Sequence, residues 1–241
     1  MGKLFRFFYP FGVAILASGV VVLESHGTHT DNFAQWTAVF VQGKFSDKYG
    51  YFLESQSRIN DGWDYTNSRP NTQKTRGNRL LIRPALRWFP LADHKLQVFL
   101  GYGWTPNLSP FRDESRLWQQ VLYQDKMNDR KSYMVRLRTE QRDIQGTKQI
   151  AHRVRLMGRL THDMNTNWGI TVWDEFFLGL NTVPGGPRAG SDQNRIFLGP
   201  VYKLSPMVRI EPGYMRVDYP RGTSSGRLTN HVASLSIFAD I

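Results

Sequence analysis

Arginine and glutamate recur in this chain at alternate positions, a spacing that can grip carboxylates, phosphates or one another. Arg136, Arg138, Glu140 and Arg142 follow at every second residue, as do Arg153 and Arg155, while Arg79, Arg83 and Arg87 step by four. In an extended segment such positions share one side of the backbone. The same parity collects Arg58, Arg116, Arg159, Arg195 and Arg209, with Glu54, Glu114, Glu175 and Glu211 and the amides Gln56, Gln120 and Gln193. Planar guanidinium groups hold carboxylates bidentately, so Arg136, Arg138 and Glu140 can meet Arg153 and Arg155 on the following strand. Fully paired, the set is an ion-pair lattice that braces and plugs an interior. Its thirteen arginines against five glutamates also leave a positive field that concentrates small anions.

Other chemistry finds less support. His231 and Ser234 are the nearest pair for lipid hydrolysis, but three residues apart on a strand they face opposite sides. Glu140 among arginines suits an ion pair better than a general acid. His26, His29 and Asp31 have a metal-like spacing, yet loss of a leader would remove His26 and leave a poor preformed site. No Gly-rich loop follows a strand and opens a helix, so no nucleotide site is expected. The chain is read as a non-enzyme with no cofactor and no metal.

The elements that must position the arginines are strands. Between Arg79 and Trp88 the alternate positions Leu80, Ile82, Pro84, Leu86 and Trp88 oppose the arginines, and the same two-faced pattern returns along the chain. The apolar list continues with Leu53, Leu96, Val98, Leu100, Val135, Leu137, Val154, Leu156, Ile170, Val172, Ile196 and Leu198, and Trp88, Tyr102, Trp104 and Trp168 fall near strand ends. Arginine turned to lipid costs ~2–4 kcal/mol at midplane, so the arginine face must be a lumen. The expected fold is all-β, an antiparallel transmembrane β-barrel. Strand-like segments fall at about 35–45, 50–60, 78–89, 95–105, 114–124, 131–142, 149–161, 166–178, 192–204, 207–217 and 227–241. Short connections alternate with longer ones, as periplasmic turns alternate with external loops. Eleven segments conflict with the even strand number of bacterial barrels, so twelve strands are expected, or ten, a twelfth coming from the segment before Asn32. Pro84, Pro200 and Pro212 interrupt strands and are expected at bulges.

Composition agrees with this architecture. The 241 residues carry 31 Lys+Arg against 20 Asp+Glu, a net charge of +11, and no cysteine. The basic residues are spread at period two rather than gathered on one helix or tail, which argues against nucleic acid. Lys3 and Arg6 precede an apolar run from about Phe7 to Leu23, the layout of a secretory signal. Residues 1–27 are therefore expected to be a signal peptide and 32–241 one barrel domain.

Several phrases, taken in order, resemble one family. Glu114-Ser-Arg-Leu-Trp-Gln-Gln120, Arg136-Leu-Arg-Thr-Glu-Gln-Arg142, Trp173-Asp-Glu-Phe176, Asp192-Gln-Asn-Arg-Ile196 and Gly213-Tyr-Met215 are similar to the family catalogued as domain of unknown function 2490, from about Trp36 onward. The resemblance implies a bacterial outer-membrane barrel and supplies no catalytic residues. The chain departs from outer-membrane custom in ending Phe238-Ala-Asp-Ile241 rather than on an aromatic. The expected partners are outer-membrane lipid and lipopolysaccharide, with small anionic or polar solutes in the lumen. A plugged structural or surface-interaction barrel is the alternative, and an outer-membrane lipid hydrolase a more distant one.

Overall fold

A computed structural model describes residues 28–60, 77–106, 112–220 and 226–241. The expected signal segment, His26 and residues 61–76 of the connection expected between the segments 50–60 and 78–89 lie outside the described residues. Eleven strands close into one barrel: β1 (Thr28–Lys44), β2 (Tyr49–Asn60), β3 (Gly77–Trp88), β4 (Leu96–Thr105), β5 (Glu114–Asn128), β6 (Lys131–Ile144), β7 (Ala151–Asp163), β8 (Trp168–Gly179), β9 (Gly190–Lys203), β10 (Val208–Tyr219) and β11 (Gly226–Asp240). Alternation is the cause, because each strand presents one polar and one apolar row and only closure hides every polar row while leaving no edge.

The expectation of twelve strands, or ten, is corrected to eleven. An even count follows only if the first and last strands also pair antiparallel. Here β1 pairs β11 in parallel from Thr28↔Gly226 to Gln42↔Asp240, while the other ten pairings are antiparallel. Both strands run from the loop rim to the short-turn rim, so an odd number closes. Thr28 to Asp31, the described residues before Asn32, lengthen β1.

At the short-turn rim, side-chain oxygens take the turn's amide protons. Ser46 Oγ accepts from the Lys48 and Tyr49 amides, Asn128 Oδ1 from Arg130 and Lys131, Asn165 Oδ1 from Asn167 and Trp168, and Ser205 Oγ from Met207 and Val208. These Ser and Asn turns reverse the chain in few residues and thereby fix the register of the hairpins.

The expectation that the prolines sit at bulges is corrected: register shifts occur instead between Lys126 and Asn128 and between Phe177 and Leu178. The flanking pairs Tyr202↔Ile210 and Leu198↔Tyr214 place Pro200 directly opposite Pro212, and the β9–β10 ladder lapses there without slipping. Matching two residues that lack an N–H confines both missing donors to one gap. Pro84 leaves a similar gap between β3 and β4, whose pairing resumes in the same register.

Leu86, Leu100, Leu198 and the aromatics Trp88, Tyr102, Trp104 and Trp168 are exposed on the outer wall. Of the arginines and glutamates sorted to the lumen by parity, Arg83, Arg138, Arg155, Glu54, Glu140, Glu175 and Glu211 are among those buried inside. One glycine makes room for the interior: the Trp118 indole lies against Gly101 on the neighbouring strand, where an added Cβ would stand 2.3 Å from ring carbons.

Candidate functional site: the lumen lattice and its vestibule

The expected polar residues converge on a few carboxylate nodes. Glu140 of β6 receives Arg153 at 2.5 Å and Arg155 at 2.7 Å from the next strand, and Arg83 reaches it at 3.7 Å from β3. Arg83 also holds Glu54 at 2.5 Å. Glu175 of β8 collects Arg136 at 2.5 Å, Arg155 at 2.7 Å and Arg195 at 3.9 Å. These links run from β2 to β9 and cross the lumen. Towards the loop rim Glu114 gathers Arg79 at 2.8 Å, Arg116 at 2.7 Å and Arg142 at 2.5 Å. Nearer the short-turn rim Glu211 gathers Arg159 at 2.6 Å and Arg209 at 3.0 Å. Buried ion pairs of this kind offset their desolvation only when well hydrogen-bonded, and each node here receives at least two donors.

Three arginines take amides instead of carboxylates, Arg58 through Gln56 Oε1 at 3.0 and 2.5 Å. Arg138 donates Nε and Nη2 to Gln120 Oε1 at 2.9 and 2.7 Å, and Arg87 donates to Gln97 at 2.8 Å. Arg136, expected with Arg138 and Glu140 against Arg153 and Arg155, reaches Glu175 two strands away.

The part of the site not foreseen from sequence is aromatic. Arg138 lies over Trp118 at 4.3 Å, Arg155 and Arg195 over Phe177 at 4.5 and 4.4 Å, Arg58 over Trp36 at 4.2 Å and Arg209 over Phe238 at 4.0 Å. Inside a dry wall, ring faces supply negative potential that the scarce carboxylates cannot. The signal was available, since Trp36, Trp118 and Phe177 share strand parity with the lumen residues beside them. Asp192, which accepts Arg153 at 2.9 Å, was also missed.

Below the middle lattice lies a cavity of about 580 Å³. Its roof includes Glu54, Arg83, Arg138, Arg155 and Glu175, and its walls reach the short-turn rim at Gln124, Lys126, Asp163 and Lys203. Nine Lys and Arg side chains line it against five Asp and Glu. Residues of the Glu114 cluster are absent from the lining, so the space is a vestibule beneath a packed lattice. Arg138 Nη1, Arg136 Nε and Arg83 Nη1 are buried with no hydrogen-bond partner among the described residues, although Arg83 Nη1 keeps its longer ionic contact to Glu140. At the rim, Lys95 donates to Asp125 at 3.0 Å, and that bond raises the Lys95 ammonium above its ordinary pKa.

The wall separates the residues considered for hydrolysis. Ser234 lines the vestibule, whereas His231 lies on the outer surface, hydrogen-bonded to Tyr214 and Asp31. Among the described residues no group of three or more His, Cys, Asp or Glu side chains is placed to hold a metal ion.

The family described as "Protein of unknown function (DUF2490)" matches residues 33–223. No curated protein matches the chain. Among solved structures, the chain is similar to a KdgM porin at 12% identity, with 78% of this chain and 84% of that chain covered and a TM-score of 0.44. A KdgM porin in complex with disordered oligogalacturonate gives 11% identity, 81% and 92% coverage and 0.44. LpxR from Salmonella typhimurium gives 10% identity, 79% and 83% coverage and 0.45.

Proposed function

The chain belongs to the DUF2490 family of proteins of unknown function, and from that premise we propose that it is an outer-membrane β-barrel binding small anionic solutes in its vestibule. Residues 1–27 serve as its secretory signal, and the short turns face the periplasm, as in other bacterial barrels. The apolar outer wall with aromatics near both rims supports the membrane location.

One observation carries the binding role: buried guanidinium nitrogens without partners, Arg138 Nη1 and Arg136 Nε, belong to arginines that line a cavity rich in positive charge. An unsatisfied buried donor costs free energy that an incoming oxyanion recovers. The lattice above favours a binding barrel over an open channel, because its side chains meet across the lumen. That closure equally supports the plugged structural barrel as a second reading.

Calorimetric titration of the folded barrel with citrate and inorganic phosphate separates them. Saturable binding that weakens with salt and falls about tenfold in Arg138→Gln supports the vestibule. Heat-modifiable barrel without anion binding leaves the plugged reading, and an Arg138→Gln variant that binds like wild type overturns the assignment of this arginine.

A further inference from the structure

Polar side chains on the outer wall fall in a few groups: Gln119, Thr139 and Gln141 are hydrogen-bonded together on β5 and β6, Asp174 lies on β8, and a group with both charges lies on β10, β11 and β1. From β2 through β4 the outward positions described are aliphatic, aromatic or serine, whereas β10, β11 and β1 turn Tyr214, Arg216, Asp218, His231 and Asp31 outward. Tyr214 Oη is 2.6 Å from His231 Nδ1, and His231 Nε2 is 3.2 Å from Asp31 Oδ1. Arg216 stands directly opposite His231 in register and engages Asp218 through Nε at 3.1 Å. Its two Nη groups have no partner among the described residues, and 43% of the side chain is exposed.

Apolar groups flank this fork on both sides. Phe33, 71% exposed, is the register partner of His231 across the parallel seam and packs on its ring at 5.4 Å. Ile196, also exposed, is the partner of Arg216 on β9. Arg216 is eight residues along β10 from Val208. At about 2.5 Å of height per tilted residue, it lies roughly 20 Å up an apolar band about 25 Å tall. That is the boundary between acyl chains and headgroups of the outer leaflet, where an outward arginine is tolerated and phosphates are present.

We propose that Arg216 and His231 form a site for the phosphate headgroup of an outer-leaflet lipid, with Phe33 and Ile196 against its acyl chain. Arg216 supplies the bidentate fork that planar phosphate recognition uses. His231, fixed between Asp31 and Tyr214, sets its ring beside the fork with Phe33 packed on it. The assignment rests on the outer-membrane reading given above.

Native mass spectrometry of the folded barrel in a neutral maltoside detergent, titrated with dioleoyl phosphatidic acid, tests it. Wild type should retain one lipid, Arg216→Gln should bind about tenfold more weakly, Arg216→Lys should fall between them, and dioleoylglycerol, which lacks phosphate, should not be retained. No retention by wild type, equal retention by Arg216→Gln, or equal retention of dioleoylglycerol overturns the site. Displacement by equimolar inorganic phosphate would make free phosphate the occupant and overturns it too. Heat-modifiable migration of the same samples keeps the two readings apart. A wild type that does not shift sinks the barrel, whereas a normal shift with unchanged lipid retention in Arg216→Gln sinks this site alone.

Discussion

Arg83 on β3 lies 3.7 Å from Glu140 on β6, a contact made across the lumen between strands three apart in the wall. Glu140 is therefore a keystone as well as a hairpin partner, since it also compensates Arg153 and Arg155. Replacing Glu140 with alanine strands buried guanidinium charge and should destabilise the barrel by about 3–5 kcal/mol. Arg209→Gln at the more exposed Glu211 pair should cost only ~0–1 kcal/mol. Urea midpoints of the refolded barrel, read from the heat-modifiable band, measure both. Equal costs would mean that the cross-lumen link adds nothing.

Gly101 and Trp118 make a second prediction. A Cβ at position 101 would stand 2.3 Å from indole carbons, and Trp118 is fully buried with Arg138 on its face. Gly101→Ala should cost at least ~1–3 kcal/mol by overpacking. Trp118→Leu alone should cost more, about 3–5 kcal/mol, through the cavity and the lost ring face. The double variant should cost less than the sum of the two single changes, because the methyl enters space the indole vacates. Strict additivity in the same unfolding assay would refute the contact.

The faces of the barrel were legible because each arginine on β3, β6 and β7 is followed two residues later by another lumen residue, so parity alone sorted them. Strand positions followed: β3 runs Gly77–Trp88 where 78–89 was expected, and β6 Lys131–Ile144 where 131–142 was expected. The seam was not legible. Parity sorts faces within a strand but carries no information on whether the first and last strands run alike, so an even count was assumed. Nor could the partners on other strands be read: Arg138 and Arg136 look alike in sequence, yet one meets an amide and an indole on the adjacent β5 and the other a carboxylate two strands away. Those choices depend on the register between strands, Gln120 being the partner of Arg138 on β5. Tyr214, His231 and Asp31 meet for the same reason, through the parallel register of β1 with β11.

That seam is directly testable, because the chain contains no cysteine. Val39 and Ile237 are register partners on the outer wall of β1 and β11. A Val39→Cys/Ile237→Cys variant should form a disulfide on oxidation, since adjacent strands lie about 4.8 Å apart, and the denatured chain should then migrate as a closed loop until reduced. Val39→Cys/Leu235→Cys, displaced two residues along β11, should crosslink much less. A barrel closed by an additional strand would hold both pairs too far apart to join.

The lattice also predicts how the lumen conducts. In wild type the middle of the barrel is filled by Arg83, Glu140, Arg155 and Glu175, all buried, so planar-bilayer recordings should show no steady conductance. Removing the two arginines that reach Glu140 from different walls, as Arg83→Ala/Arg155→Ala, clears the crossing while Arg136, Arg138, Arg153 and Arg195 remain around it. Water should then enter, and the remaining cationic side chains should make the leak anion-selective, with selectivity fading as salt rises from about 0.1 M to 1 M and the Debye length shrinks from about 10 Å to 3 Å. Steady wild-type conductance would mean that the lattice does not close the lumen. A cation-selective leak in the double variant would mean that the arginine excess does not set the field along the axis.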